Sequence, residues 1–92
     1  MNNNYISISS LSMDLKRIAL AYYYGSESTA IKFIDEANKR ISEIDSSLVK
    51  PYLNDYLCSI HEVFKNKDRM HLAEACLMYS QIFQNYANTF EK

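Results

Sequence analysis

A single glycine and a single proline, Gly25 and Pro51, are the only strong breakers of regular secondary structure in the 92 residues of the chain. β-Sandwiches and β-barrels use glycine and proline at many of their turns, so a chain with one of each is poorly suited to an all-β fold. The scarcity of both residues therefore predicts an all-α protein.

Apolar residues recur at three- and four-residue steps in four segments, which is the spacing of one face of an α-helix. We predict helices over residues 11–24, 28–45, 49–65 and 69–89. Gly25 follows the first helix, where a left-handed residue is favoured, and Pro51 fits the first turn of the third. Asp68 or Asn66 can cap the fourth helix. The three connections are short, so consecutive helices should pack antiparallel.

The expected architecture is a single-domain antiparallel four-helix up-down bundle with short loops, spanning residues 10–92. Two helical hairpins stacked as in a solenoid are the alternative. Residues 1–9 are predicted to form a flexible N-terminal arm, because they are polar and contain three consecutive asparagines. Their short apolar-polar alternation has no second strand with which to pair.

The charge balance and the cysteine count indicate which partners and compartment to expect. Ten Lys and Arg residues against eleven Asp and Glu leave a net charge of −1, so we expect no nucleic-acid partner. No apolar run reaches the roughly 18 to 20 residues that span a bilayer, so no membrane partner is expected either. The N-terminus lacks the pattern of a secretion signal. With only Cys58 and Cys76, the chain is predicted to be cytoplasmic with reduced thiols.

No catalytic motif is recognisable. The sequence has no glycine-rich phosphate loop, nucleophile elbow or CxxC pair, so we expect neither catalytic residues nor enzymatic activity. His61, Glu62 and His71, around the last turn, are weak candidates for metal ligands. Metal sites in helical bundles take carboxylates from inward-facing positions, whereas the acids here lie on the predicted outer faces. The prediction is therefore no metal and no cofactor.

A second apolar stripe is the clearest functional signal. Met13, Leu20 and Tyr24 on the first helix, and Met70 and Leu77 on the fourth, lie nearly opposite the predicted core faces. A helix that is apolar on two sides lies between two layers or presents a binding surface. The first and last helices of an up-down bundle are neighbours, so these five residues are predicted to form one protein interface.

These observations favour a small cytoplasmic interaction or adaptor module that forms a homodimer, or binds another protein, through this interface. Two alternatives stay open. One is a small metal- or ligand-binding bundle that uses the residues around the last turn. The other is a degenerate helical-repeat adaptor, because four residues are spaced similarly to positions of a tetratricopeptide repeat: Gly25, Ala30, Ile34 and Ala37. The tryptophan and closing proline of that repeat are missing.

Overall fold

The computed structural model describes residues 3–89, which form four α-helices. They are α1 (Asn3–Tyr23), α2 (Glu27–Glu43), α3 (Pro51–Phe64) and α4 (Arg69–Asn88), with a short 3₁₀ turn (Ser46–Leu48) between α2 and α3. There is no β-strand within these residues. The prediction of an all-α protein with four helices is therefore confirmed.

Local chemistry sets several helix ends where the sequence predicted them. Gly25 follows α1 with a φ of 76°, and the N–H of Ser26 donates to the carbonyl of Ala21 at 2.8 Å. This left-handed ending satisfies a carbonyl that the last turn would otherwise leave unpaired. Pro51 is the first residue of α3, where its missing N–H costs nothing. The Asp68 carboxylate caps α4 by accepting two backbone N–H groups, both at 3.1 Å.

The connection between α2 and α3 is longer than predicted. α2 ends at residue 43 rather than 45, and α3 begins at residue 51 rather than 49. Within the connection, the Asp45 carboxylate accepts the N–H of Ser47 at 3.0 Å and also the Ser47 hydroxyl. Short polar side chains that bond their own backbone compete with helical hydrogen bonds, so α2 ends before this segment and α3 begins after it.

The predicted flexible arm is wrong for residues 3–9, which form the first two turns of α1. Ile8 is completely buried, and Asn4 is 3% exposed. The side-chain amide of Asn4 donates to the carbonyl of Asp45 at 3.0 Å and accepts the N–H of Asp45 at 2.9 Å. These contacts outweigh the weak helix propensity of serine and asparagine. Residues 1 and 2, the rest of the predicted arm, lie outside the described residues.

α1 is the central helix, because it packs against both α2 and α4, while α3 packs against α4. The adjacency of α1 and α4 is what an up-down bundle requires. Buried apolar residues from all four helices form one cluster: Ile8, Leu11, Leu15, Ile18 and Ala19 of α1, Ala37 of α2, Leu53, Leu57 and Ile60 of α3, and Leu72, Ala73, Cys76, Phe83, Tyr86 and Ala87 of α4.

α2 lies at the edge of this bundle. Its buried residues are both small, Ala30 and Ala37, and they allow the backbone to approach α1 closely. The larger apolar residues of the same stripe, Phe33, Ile34 and Ile41, are only half-buried and pack on the margin of the core. The most regular amphipathic helix in the sequence is therefore not the most deeply buried one.

Candidate protein-interaction surface

A groove runs along the outside of the bundle between α1 and α4, and we call it the α1–α4 groove. Its volume is about 360 Å³. The α1 wall consists of Ser12, Met13, Lys16, Arg17 and Leu20, and the α4 wall consists of Leu77, Ser80, Gln81 and Gln84. Because α1 and α4 are distant in sequence, only the folded bundle creates this surface.

The structure brings three of the five predicted interface residues together in the groove. Met13, Leu20 and Leu77 line it and are 51%, 43% and 39% exposed. Met70 is 50% exposed and Tyr24 is 84% exposed, and neither lines the groove. Both stand at the end of the bundle where α1 stops and α4 begins. The predicted residues therefore lie on the outer surface of these two helices.

Sequence reasoning missed one apolar residue of the same stripe. Ile6 is 44% exposed and lies seven residues before Met13, which lies seven residues before Leu20. A seven-residue step returns to nearly the same face of a helix, so Ile6 extends the stripe toward the start of α1. This spacing is present in the sequence, but residue 6 falls within the predicted flexible arm.

The polar groups of the groove are satisfied mainly within and between its own helices. The Ser12 hydroxyl donates to Oε1 of Gln84 at 3.0 Å, which links α1 to α4. The Ser80 hydroxyl donates to the carbonyl of Leu77 at 2.7 Å, and Nε2 of Gln84 donates to Oδ1 of Asn88 at 3.1 Å. A partner that covers Met13, Leu20 and Leu77 would leave these three internal hydrogen bonds intact, so the side chains that make them add little polar penalty to binding.

Arg17 marks the side of the groove nearest α2. Its Nη1 lies 3.4 Å from Oδ1 of Asp14, and its guanidinium lies over the ring of Phe33, 5.5 Å from the ring centroid. An ion pair and a cation–π contact together hold the guanidinium in place. The positive charge of Arg17 therefore has a fixed position, whereas the neighbouring Lys16 is an exposed side chain.

Asp14 is a buried carboxyl between α1 and α2, with 2% of its surface exposed. Burial raises its pKa above the usual 3.8, and the nearby Glu36 raises it further, while Arg40 and Arg17 oppose both effects. Its Oδ2 lies 4.0 Å from Nε of Arg40. Within residues 3–89 neither of these two atoms has a hydrogen-bond partner. The carboxylate is thus incompletely compensated, which makes its charged form costly.

The residues considered as metal ligands are exposed and separate. Glu62 pairs with Lys65, with 3.6 Å between carboxylate and ammonium, and His61 and His71 stand on different helices. Among the described residues, no group of three or more His, Cys, Asp or Glu side chains could hold a metal ion. The described residues therefore contain no site that fits the metal-binding alternative.

The two cysteines differ in environment. Cys58 is exposed and, with His61 and Leu57, lines a second cleft of about 400 Å³ at the α2–α3 side of the bundle. Cys76 lies in the core, and burial raises its pKa to about 12. Since the thiolate is the reactive form, Cys76 serves as a small core residue and not as a nucleophile.

Comparisons with known proteins add nothing to this geometry. No family model, curated protein or solved structure matches the chain. Within residues 3–89, no helix combines the length and apolar character needed to cross a membrane. Any proposal of a function therefore depends on the α1–α4 groove and the residues that line it.

Proposed function

We propose that the chain is a small protein–protein interaction module that self-associates as a homodimer through the α1–α4 groove. The observation that supports this most strongly is the convergence of Met13, Leu20 and Leu77 on one groove between two helices. The proposal includes no catalytic activity. It places the protein in the cytoplasm, where the free thiols of Cys58 and Cys76 stay reduced.

The lining of the groove suits a helical partner. The lining residues run from Ser12 to Leu20 on α1 and from Leu77 to Gln84 on α4, so at about 1.5 Å per residue each wall extends roughly 10 to 12 Å, about two helical turns. Exposed leucine and methionine side chains, bordered by serine, glutamine and basic residues, form the pattern of surfaces that accept an amphipathic helix. A helical segment of about two turns is long enough to cover these apolar residues.

The apolar contacts support a weak dimer. Leu20 and Leu77 already have more than half of their surface covered, so completing the burial of each adds only about 1 kcal/mol. Met13, the other apolar residue of the groove, adds a similar amount on each subunit, and the cost of association offsets much of the total. The expected dimer population therefore depends on concentration.

Replacing Leu20→Glu together with Leu77→Glu tests the proposal. The parent should elute in light-scattering chromatography at twice the chain mass at about 100 μM, a concentration at which weak dimers are populated. The double variant should stay soluble and helical by circular dichroism but elute as a monomer. Dimerisation would bury the two introduced carboxylates without partners, which is unfavourable.

A matched control adds the same charge outside the groove. Ile31→Glu with Met78→Glu changes two residues that are 51% and 53% exposed and do not line the groove, and this variant should remain dimeric. A parent that is monomeric at about 100 μM would reject the homodimer. A control that dissociates as much as the groove variant would show that added charge, not the groove, decides association.

A further inference from the structure

We infer that the helix seated on α1 in the dimer is α4 of the second copy, with the two-fold axis running parallel to both helices. This inference rests on the function proposed above, because it assigns the occupant of the same groove. A two-fold dimer of this face has two simple alternatives: α1 packs on α4 of the partner subunit, or like helices pack on each other.

The charges of the two walls separate these alternatives. The α1 wall carries Lys16 and Arg17, whereas the α4 wall contributes no charged residue to the lining. Packing like helices on each other brings the two basic walls together beside apolar side chains, where like charges repel strongly. Packing α1 on α4 of the partner subunit sets each basic wall against a neutral one instead. On the neutral wall, the side-chain carbonyl oxygens of Gln81 and Gln84 can accept hydrogen bonds from Lys16.

The register of the two helices fits the packing of α1 on α4 of the partner subunit. Ser12 lies level with Gln84, to which it is hydrogen-bonded. α1 and α4 run in opposite directions and rise equally per residue, so Leu20 lies level with Leu77 on the facing wall. Rotation about an axis parallel to the helices keeps every residue at its own height and exchanges the walls. Leu20 then meets Leu77 of the partner subunit.

The same operation acts twice, because the interface is two-fold symmetric. It places Leu20, Leu77 and their two symmetry copies in one apolar layer. Lys16 faces Gln81 of the partner subunit on one side of this layer. The central layer is therefore apolar, and the basic residues stand beside it without meeting their own copies.

The size of the face is sufficient for such a dimer. The bundle measures 37 Å along its length and about 20 Å across. A standard interface needs about 800 Å² of accessible surface from each partner, which is close to the whole of one long face of this molecule. A second copy, having the same length, covers the groove from end to end.

Mixed cysteine cross-linking tests this arrangement. Leu20→Cys and Leu77→Cys are prepared as separate proteins, each with Cys58→Ser to remove the exposed thiol, and one is labelled with ¹⁵N. Cys76 is buried and stays in place. The two variants are mixed, equilibrated and oxidised mildly, so that only cysteines with Cα atoms within about 7 Å are joined. The product should be a disulfide dimer of intermediate mass, containing one copy of each variant.

The other outcomes overturn the arrangement, and they separate its failure from failure of the proposed function. Disulfide dimers formed mainly by either variant alone would show that like helices face each other, although the groove would still be the dimer interface. Variants that remain dimeric by light scattering but do not cross-link at all would place the interface elsewhere. A parent that is monomeric by light scattering would remove the proposed function together with this inference.

Discussion

At the scale of single residues, Asp14 is the position where burial and charge conflict. It is almost fully buried, yet its ion pairs with Arg17 at 3.4 Å and Arg40 at 4.0 Å are long. Both arginines are partly exposed, so water screens their attraction while the carboxylate itself has lost its own hydration. Arg17 also lines the α1–α4 groove, so its ion pair connects the buried Asp14 with the edge of the proposed interface.

The raised pKa of Asp14 gives a pH-dependent stability of defined sign. A carboxyl group whose pKa is higher in the folded than in the unfolded state favours folding most below about 3.8, its usual value. That contribution is lost as the pH rises through the higher folded value. We therefore expect the free energy of unfolding of Asp14→Asn, relative to the parent, to increase with pH over this window and then level off.

Urea unfolding of parent and variant at a series of pH values from about 3 to 7 measures this difference. Since both proteins share every other titrating group, their difference reports the titration of Asp14 together with its charge coupling to Glu36. A difference that stays constant with pH, or that falls, would show that Arg17 and Arg40 compensate the carboxylate fully.

At the scale of elements, the first two turns of α1 are the segment that tertiary contacts bring into the fold. Isolated, this stretch of serine and asparagine has weak helix propensity. Within the bundle, Ile8 continues the buried stripe of Leu11 and Leu15, and Asn4 bonds the backbone of Asp45. The element therefore depends on the core for its stability.

Two isoleucines in these turns form a matched pair for testing this. Ile8→Ala should lower the free energy of unfolding by about 2 to 4 kcal/mol, because it opens a cavity beside a fully buried stripe. Ile6→Ala, at a position 44% exposed, should cost less than about 1 kcal/mol when measured at low protein concentration, where the monomer prevails. Equal small losses for both variants would mean that residues 3–9 behave as the flexible arm.

At the scale of the whole molecule, the stability of the fold is linked to whether the α1–α4 groove is covered. A chain of 92 residues buries only about two-thirds of its unfolded surface, so its stability as a monomer is modest. Covering the α1–α4 groove adds apolar burial that the monomer cannot obtain. The proposed dimer is therefore also a means of stabilising the fold.

Coupled folding and association make the melting temperature depend on concentration. For a dimer that melts directly to two unfolded chains, a tenfold increase in protein concentration should raise the Tm by up to about 3 to 5 °C in a domain of this size. The Leu20→Glu, Leu77→Glu variant should melt at the same temperature at both concentrations. Circular dichroism melts over a tenfold range measure this, and a parent Tm that does not change with concentration would argue against the dimer.

The sequence by itself determined the features that depend on local chemistry. Three- and four-residue apolar spacing predicted four helices, and Gly25, Pro51 and Asp68 placed three of their ends, because left-handed backbone, a missing N–H and a capping carboxylate act within a few residues. The same periodicity placed Met13, Leu20 and Leu77 on outward faces, where the structure has them.

Tertiary structure alone decided what depends on neighbours distant in sequence. The helical start of α1 is stabilised by the contact of Asn4 with Asp45, and no local pattern shows that contact. The burial of Asp14 follows from how α2 crosses α1, and the polar lining of the groove follows from how α4 is placed beside α1. Helix propensity is weak compared with such packing, so the bundle overrides it at the chain start and sets which outward residues share one surface.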